Sequence, residues 1–439
     1  MRWTRVVVVV GAAVAACQFR TNPGTGPLEA GIDAPLPLPD AGPCLDISAT
    51  CANADTLRAC NGSGSQPVDT TCNWGCLAIG SAHCGVLVPT GSAVDTADLD
   101  ATGLKDIDLQ GTVNGNDGSI SGSLRGMGSG VIAGIDYHLV NGVAVFRVAS
   151  LHVVGATILR GDHPIAFVSD GDITIDSTID LQGACTGGVA GPGGHVGAAH
   201  GGTAAGNGGG RAGAGSHDMC TGGGGGGDAG SGGSGGNATI ASTAGHGGAP
   251  FGDDLITVLE GGGGGGGGGG GMGGFGGGGG GALQLVSNGT ITVGLNAAIN
   301  AGGCGGQPGN DCGGGGGAGG AILIEGRIVA VLGILAVNGG GGGGGDSGSH
   351  AGSNGQPSRD QASGGAASNG QSGGDGGSGA AAAISDGAPG GIELNGGGGA
   401  GAIGRIRINT KSGSADTSGT LSPAPSDLTH ASVGSAAVQ

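Results

Sequence analysis

Leu283-Gln284-Leu285-Val286-Ser287-Asn288-Gly289-Thr290-Ile291-Thr292-Val293 sets aliphatic residues at alternate positions on both sides of a glycine corner. Period-two alternation puts one side of a strand against a core. The same pattern occurs twice more, in Ile165-Ala166-Phe167-Val168-Ser169-Asp170-Gly171-Asp172-Ile173-Thr174-Ile175 and in Ile322-Leu323-Ile324-Glu325-Gly326-Arg327-Ile328-Val329-Ala330. Each copy is followed by a short apolar run: Ile179 and Leu181, Ile299 and Ala301, Ile334 and Ala336. Arg405-Ile406-Arg407-Ile408 begins a fourth.

Three short strands and their turns within about twenty residues cannot bury an apolar side alone, so copies must stack. The pattern predicts an all-β chain, a right-handed parallel β-helix-like solenoid over residues 92–410 with long glycine-rich inserts. An antiparallel sandwich is the competing arrangement. Aligned on Gly171, Gly289 and Gly326, the copies predict ladders of Ile173 over Ile291 over Ile328 and of Ile179 over Ile299 over Ile334. The glycines would sit at corners that need positive φ or leave no room for a side chain. They lie 118 and then 37 residues apart, so the excess is read as loops inserted between coils. Runs at 143–148, 151–154 and 158–159 suggest a cap or first coils, and residues 411–439 are expected to form a flexible tail.

The inserts carry most of the 119 glycines among 439 residues. In 261–281 only Met272 and Phe275 are not glycine. Ordering nineteen glycines rather than alanines costs on the order of 10–19 kcal/mol, at roughly 0.5–1 each. Such a tract either stays mobile or packs as extended three-residue-per-turn helices joined sideways through the backbone, at about 1 kcal/mol net per bond. Packing is expected near the coils, and mobility in 345–385, where Ser, Ala, Gln and Asn interrupt the glycine. Glycine-rich regions of certain phage tip adhesins and receptor ectodomains are similar.

The N-terminus reads as an export signal over 1–16: Arg2 and Arg5, then an uncharged apolar core from Val6 to Ala16, too short to span a bilayer. Val14-Ala15-Ala16-Cys17 resembles the bacterial lipobox, with Val14 where Leu is usual. The resemblance implies that Cys17 is lipidated, becomes the mature N-terminus and anchors the chain in a membrane; Gln18 rather than Asp favours the outer membrane. A plain signal peptide cut near Ala15 or Ala16 is the alternative. Eleven cysteines leave one over in an oxidising compartment, and acylation of Cys17 leaves an even ten. The proline-rich stretch 17–43 is a spacer.

Residues 44–91 form a module too small to hold itself by its core, with Cys44, Cys51, Cys60, Cys72, Cys76 and Cys84 as three expected disulfides of open connectivity. Zinc, with His83, is the rival reading, but no Cys-x2-Cys pair is present. Of the remaining four, Cys304 and Cys312 are near neighbours, and Cys185 and Cys220 then form the last pair if a long loop folds back. Cys60-Asn61-Gly62, Cys72-Asn73-Trp74-Gly75-Cys76, His83-Cys84 and the Pro89-x-Gly91 exit resemble a module of glycine-rich surface lipoproteins of myxobacteria. That resemblance implies layout and location; it brings no activity.

Chemical motifs are sparse. Lys411-Ser412 follows Asn409-Thr410 where a phosphate loop needs glycine. Asp228 and Asp346 each end a Gly-Gly-x-Gly-x-Asp run, but Gly230 and Gly348 stand where the calcium nonapeptide needs a bulky apolar residue. No histidines pair at metal spacing, and His163 before Pro164 reads as a turn, so no metal or cofactor is expected. Asp170, Asp172, Asp176 and Asp180, like Arg405 and Arg407, are expected to face water. A net charge of −18, or −20 after loss of Arg2 and Arg5, argues against nucleic acid. The expected function is a non-catalytic structural or adhesive role at the surface, with cell-surface polysaccharide or protein as partner. A polysaccharide-degrading enzyme or a module that binds a partner protein are the alternatives.

Overall fold

The computed structural model describes residues 48–217, 219–238, 243–368 and 372–439. The predicted signal peptide, Cys17, the whole spacer and Cys44 lie outside them. The described chain is nearly all β, with one 3-10 turn at Thr96–Leu99 and no helix long and apolar enough to cross a membrane.

The large sheet contains β1 (Asp106–Asn114), β2 (Gly130–Ile132), β3 (Ile135–Val140), β4 (Val143–Val148), β5 (Ser150–Arg160), β6 (Ile165–Ser169), β7 (Ile173–Ile175) and β8 (Thr178–Asp180). It continues through β9 (Ala282–Val293), β10 (Ala298–Asn300), β11 (Ala321–Val331), β12 (Ile334–Ala336), β13 (Arg405–Thr410), β14 (Thr420–Ser422) and β15 (Ala431–Ser435). Three ladders run through it, all parallel. The first is β4, β6, β9, β11, β13, β15. The second is β1, β5, β7 and the C-terminal halves of β9 and β11. The third is the end of β5, then β8, β10, β12, β14.

Aliphatic side chains stack in register along each ladder. Phe146, Phe167, Leu285, Ile324, Ile408 and Val433 form one column of the first. Ile107, Leu151, Ile173, Ile291 and Val329 form one column of the second, each no more than 6% exposed. Ile173 therefore lies beside Ile291 as expected, but the third rung is Val329, and Ile328 is 49% exposed. The cause is the corner: β9 spends Asn288 and Gly289 where β11 spends only Arg327, so Gly326 pairs with Ser287 and not with Gly289. A one-residue slip reverses every face after it. Leu335 likewise replaces Ile334 beside Ile299. None of the three corner glycines has positive φ; they are needed for space. A Cβ on Gly171 would stand 2.9 Å from the Ala149 carbonyl, and one on Gly326 3.0 Å from the Ile291 side chain.

The glycine inserts, 181–281, 301–320 and 337–404, all leave after a strand of the third ladder and return at a strand of the first. They pack against one another. Along 222–227, Gly222 and Gly225 donate to Gly236 and Gly233, Gly223 and Gly226 to Gly313 and Gly316, Gly224 and Gly227 to Arg211 and Gly208. Their carbonyls accept from Gly245 and Gly248, from Gly399 and Ala402, and from Gly266 and Gly263. Each neighbour is met at every third residue, so this segment has six bonded neighbours, as extended threefold helices allow. Backbone bonds thus replace the missing side chains as the cohesive element. Residues 345–368 and 372–385, expected to be mobile, join the same lattice, with Gly365 donating to Gly342 and Gly376 to Gly365.

Cysteine pairing departs from the expectation for the inserts. Cys185 bonds Cys304 and Cys220 bonds Cys312, joining the first insert to the second. Nearness in sequence misled, because Cys304 and Cys312 sit on opposite arms of a hairpin of extended segments. In the module Cys51 pairs with Cys76 and Cys72 with Cys84, and Cys60 is disulfide-bonded too.

The C-terminal residues are not a free tail. They supply β14 and β15, and Ala437–Val438 pairs antiparallel with Leu87–Val88 at the module exit. The module docks along the outer side of the first ladder through Trp74, Leu87, Val143, Val145, Ala166, Val168 and Val286. Trp74 donates to Asn288 at 3.1 Å, and Lys411 pairs with Asp55 at 2.6 Å. Between β1 and β2, Arg125, 2% exposed, ties the chain down by donating to the carbonyls of Gly118, Gly126, Gly128, Gly130 and Ile135.

Candidate functional site

Charged side chains converge where the first ladder meets the glycine lattice. Arg405 opens β13 on its outward side, as alternation predicts, but that side is not solvent. Ile256 and Leu259 of the 251–260 loop pack there with Ala282, Ala321 and Leu323. Arg405 is therefore 7% exposed, which corrects the expectation that it faces water. Its Nη1 meets Asp228 Oδ1, its Nη2 donates to the Asp228 carbonyl at 3.3 Å, and its Nε lies 3.3 Å from Asp254 Oδ1. His430, just before β15, reaches the same Asp254 oxygen at 2.9 Å. Arg407 is half-buried, donating to Asn409 and Ser432.

Asp228 ends the 222–227 run and is 2% exposed; its Oδ2 is buried with no partner among the described residues. Burial pushes this carboxyl well above its ordinary range, with Glu260 and Asp254 adding to the push and Arg405 opposing it. Glu260 shifts the other way, lowered by its hydrogen bond with His195 against some burial. That bond is 2.8 Å, and Asn207 donates to both carboxylate oxygens of Glu260 at 2.9 and 3.2 Å.

Two carboxyls driven apart beside a guanidinium are the raw material of acid–base chemistry. The cavity they line, with Phe251 and Asp253, has a volume of only about 20 Å³. That lies far below the range of roughly 300–1,000 Å³ for small-molecule clefts. The cluster as it stands ties three segments together, the lattice at 228, the loop at 254 and the last coils at 405 and 430.

On the other side of Glu260, His195 faces an open groove of about 490 Å³ between the corner after β5 and the first insert. Arg160, Asp162 and His195 supply its polar groups, Val189 and Val196 its apolar ones. A third polar site lies on the outer side of the second ladder. His152 sits between Asp108 at 3.2 Å and Asp176 at 2.9 Å, and the Asp176 bond chiefly raises its pKa. Asp170, Asp172 and Asp176 are exposed as expected. Asp180 is half-buried, its carboxyl raised by burial.

No group of three His, Cys, Asp or Glu side chains among the described residues is placed to hold a metal ion. Of the two calcium-like aspartates, Asp228 pairs with Arg405 and Asp346 accepts from Ser372 and from the Ser347 amide. Asp254, Glu260, His195 and Asn207 carry no motif that pattern reading would have singled out. The only sequence signal of Asp254 and Glu260 is charge on the apolar-rich stretch Asp253–Glu260 that leads back into the lattice. No known protein family, no curated protein and no solved structure matches this chain.

Proposed function

We propose that this chain is a non-catalytic, exported surface lipoprotein with a structural or adhesive role. It is anchored in the outer membrane through Cys17 and spaced from it by the proline-rich stretch. We read the three parallel ladders as the faces of a right-handed parallel β-helix-like solenoid, with every long insert leaving from one corner. The carrying observation is the glycine lattice. It devotes over a hundred residues to backbone-to-backbone bonding with almost no side-chain chemistry. Such a body resists deformation and proteolysis, which suits a presented scaffold. Two disulfides across the inserts fit an oxidising compartment.

Mass spectrometry of the mature N-terminus tests the anchor: a diacylglyceryl group on Cys17 is expected, and an unmodified N-terminus after Ala15 or Ala16 would refute it. Deletion of the gene should reduce adhesion or alter the cell surface, and purified soluble protein should bind whole cells. Absence of both effects would overturn the adhesive role. The enzyme reading draws on one observation, the opposed shifts of Asp228 and Glu260 beside Arg405. It requires release of reducing ends or unsaturated products from polysaccharide, abolished in Asp228→Asn.

A further inference from the structure

The groove beside His195 is built more rigidly than a surface cleft needs. Glu260 holds the imidazole through Nε2, Asn207 holds Glu260, and the Phe251 ring stands edge-on at 6.1 Å. Gly206, at φ +86°, closes over the other ring nitrogen, where a Cβ would overlap Nδ1. Across the groove, Arg160 is anchored by Nη1 to the carbonyls of Gln182 at 2.5 Å and Leu159 at 3.2 Å. Asp162 is pinned by Asn116, which donates to one carboxylate oxygen at 3.0 Å and accepts from the Asp162 amide at 2.7 Å.

The floor is backbone of Gly191, Gly194 and Gly206, close and flat because no side chains intervene. Its amides are largely spent within the lattice: Gly191 donates to Gly279, Gly194 to Gly191, and His195 to Gly262. Recognition therefore falls to three fixed side chains and to two apolar patches, Val189 and Val196, 46% and 59% exposed. The charged lining of the groove is one cation, Arg160, set against one anion, Asp162. It offers no net charge to a polyanion, and the chain as a whole repels one at −18.

Resting on the adhesive reading above, we propose that this groove binds a short stretch of neutral, polyhydroxylated glycan. Hydroxyl pairs would bridge Arg160 and Asp162, and sugar C–H faces would lie on the two valines and against the fixed imidazole of His195. At about 490 Å³ the groove lies within the ligand-cleft range of roughly 300–1,000 Å³, room for a short run of sugar rings.

The test is titration calorimetry and affinity electrophoresis of the full mature chain with neutral gluco- and manno-oligosaccharides, and with oligogalacturonate as the charged probe. Neutral oligomers should bind and oligogalacturonate should bind at least tenfold more weakly. Arg160→Ala and Val196→Trp should each weaken neutral binding at least tenfold, the second, which fills the groove without removing any internal bond, at an unchanged melting temperature. Ser234→Ala, on an exposed row of the lattice, should leave it intact. Binding that prefers the uronate, no binding of any neutral oligomer, or binding indifferent to both groove variants would overturn the proposal. Whole-cell adhesion is read separately. Adhesion that survives Val196→Trp removes this groove and leaves the adhesive role, whereas a wild-type chain that binds no cells removes the role itself.

Discussion

Gly268 and Gly271 lie three residues apart in the same tract and should respond oppositely to alanine. Gly268 donates to Gly274 at 2.9 Å and accepts from Gly201 at 2.8 Å, and an added Cβ would overlap the Cys312 carbonyl oxygen. The neighbour is backbone locked in its own lattice bonds, so it cannot rotate away. Overpacking of this kind costs about 1–3 kcal/mol. Displacing one or both hydrogen bonds adds about 1 kcal/mol each. Alanine recovers about 0.5–1 kcal/mol by restricting the unfolded chain. Gly268→Ala should therefore lose about 2–4 kcal/mol. Gly271 has open space around its Cβ position and no positive φ, so Gly271→Ala should be neutral or up to about 1 kcal/mol more stable. Denaturant unfolding with disulfides intact measures both, and amide exchange across 261–281 reports the lattice directly. Equal effects from the two substitutions, with fast exchange throughout the tract, would mean that the glycines do not pack and that the cohesion argument is wrong.

The corrected register makes Val329→Ala cost about 1.5–3 kcal/mol and Ile328→Ala close to nothing, because only Val329 is in the core; the reverse order in an unfolding series would restore the glycine-aligned register. Asp228 has its folded pKa raised above the unfolded value, so its contribution to stability is complete below the ordinary carboxylate range and is lost as pH rises through the folded pKa. Asp228→Asn should flatten that decline above about pH 4 in melting curves, and an unchanged profile counts against a buried, proton-holding carboxyl. Non-reducing peptide mapping should recover Cys185 linked to Cys304 and Cys220 linked to Cys312; a Cys304–Cys312 peptide would contradict the way the inserts are joined.

Period-two alternation around Gly171 and Gly289 was enough to find the strands, their stacking and the face each presents, because those follow from local geometry. What alternation does not carry is the number of residues spent at each corner. One fewer in the third coil moved Ile328 to the surface, and no feature of the Ile322–Ala330 stretch announces it. The junction cluster was hidden for a related reason. Alternation placed Arg405 on the outer side of its strand correctly, yet whether that side meets water depends on Ile256 and Leu259, some 150 residues earlier. The disulfides of the inserts failed on the same ground: proximity within an extended lattice is set by the packing of segments, not by their separation along the chain. The groove at His195 had no signal at all, since its side chains come from the corner after β5 and from two different turns of a glycine insert.

The two halves of the molecule solve one problem by opposite means, and this explains why the ionic cluster sits where it does. Along the strand ladders, aliphatic columns exclude water and the backbone bonds follow. In the lattice the backbone bonds themselves are the cohesion, and a Cβ added at most of its inside glycines meets neighbouring backbone. Neither device can operate at the seam, where a lattice segment without side chains must lie on a strand whose outer residue is large. An arginine suits that position. Its stem covers apolar surface beside Ala321, while its planar head reaches the last residue of a glycine run, the returning loop and, through Asp254, the final coil. A hydrophobic residue at 405 would cover the strand but leave buried Asp228, and Asp254 beside it, without their cation and without its guanidinium donors. Arg405→Met should accordingly destabilise the whole body far more than Arg407→Met, whose guanidinium meets only Asn409 and Ser432, and equal losses would show that the seam is held by something other than this charge.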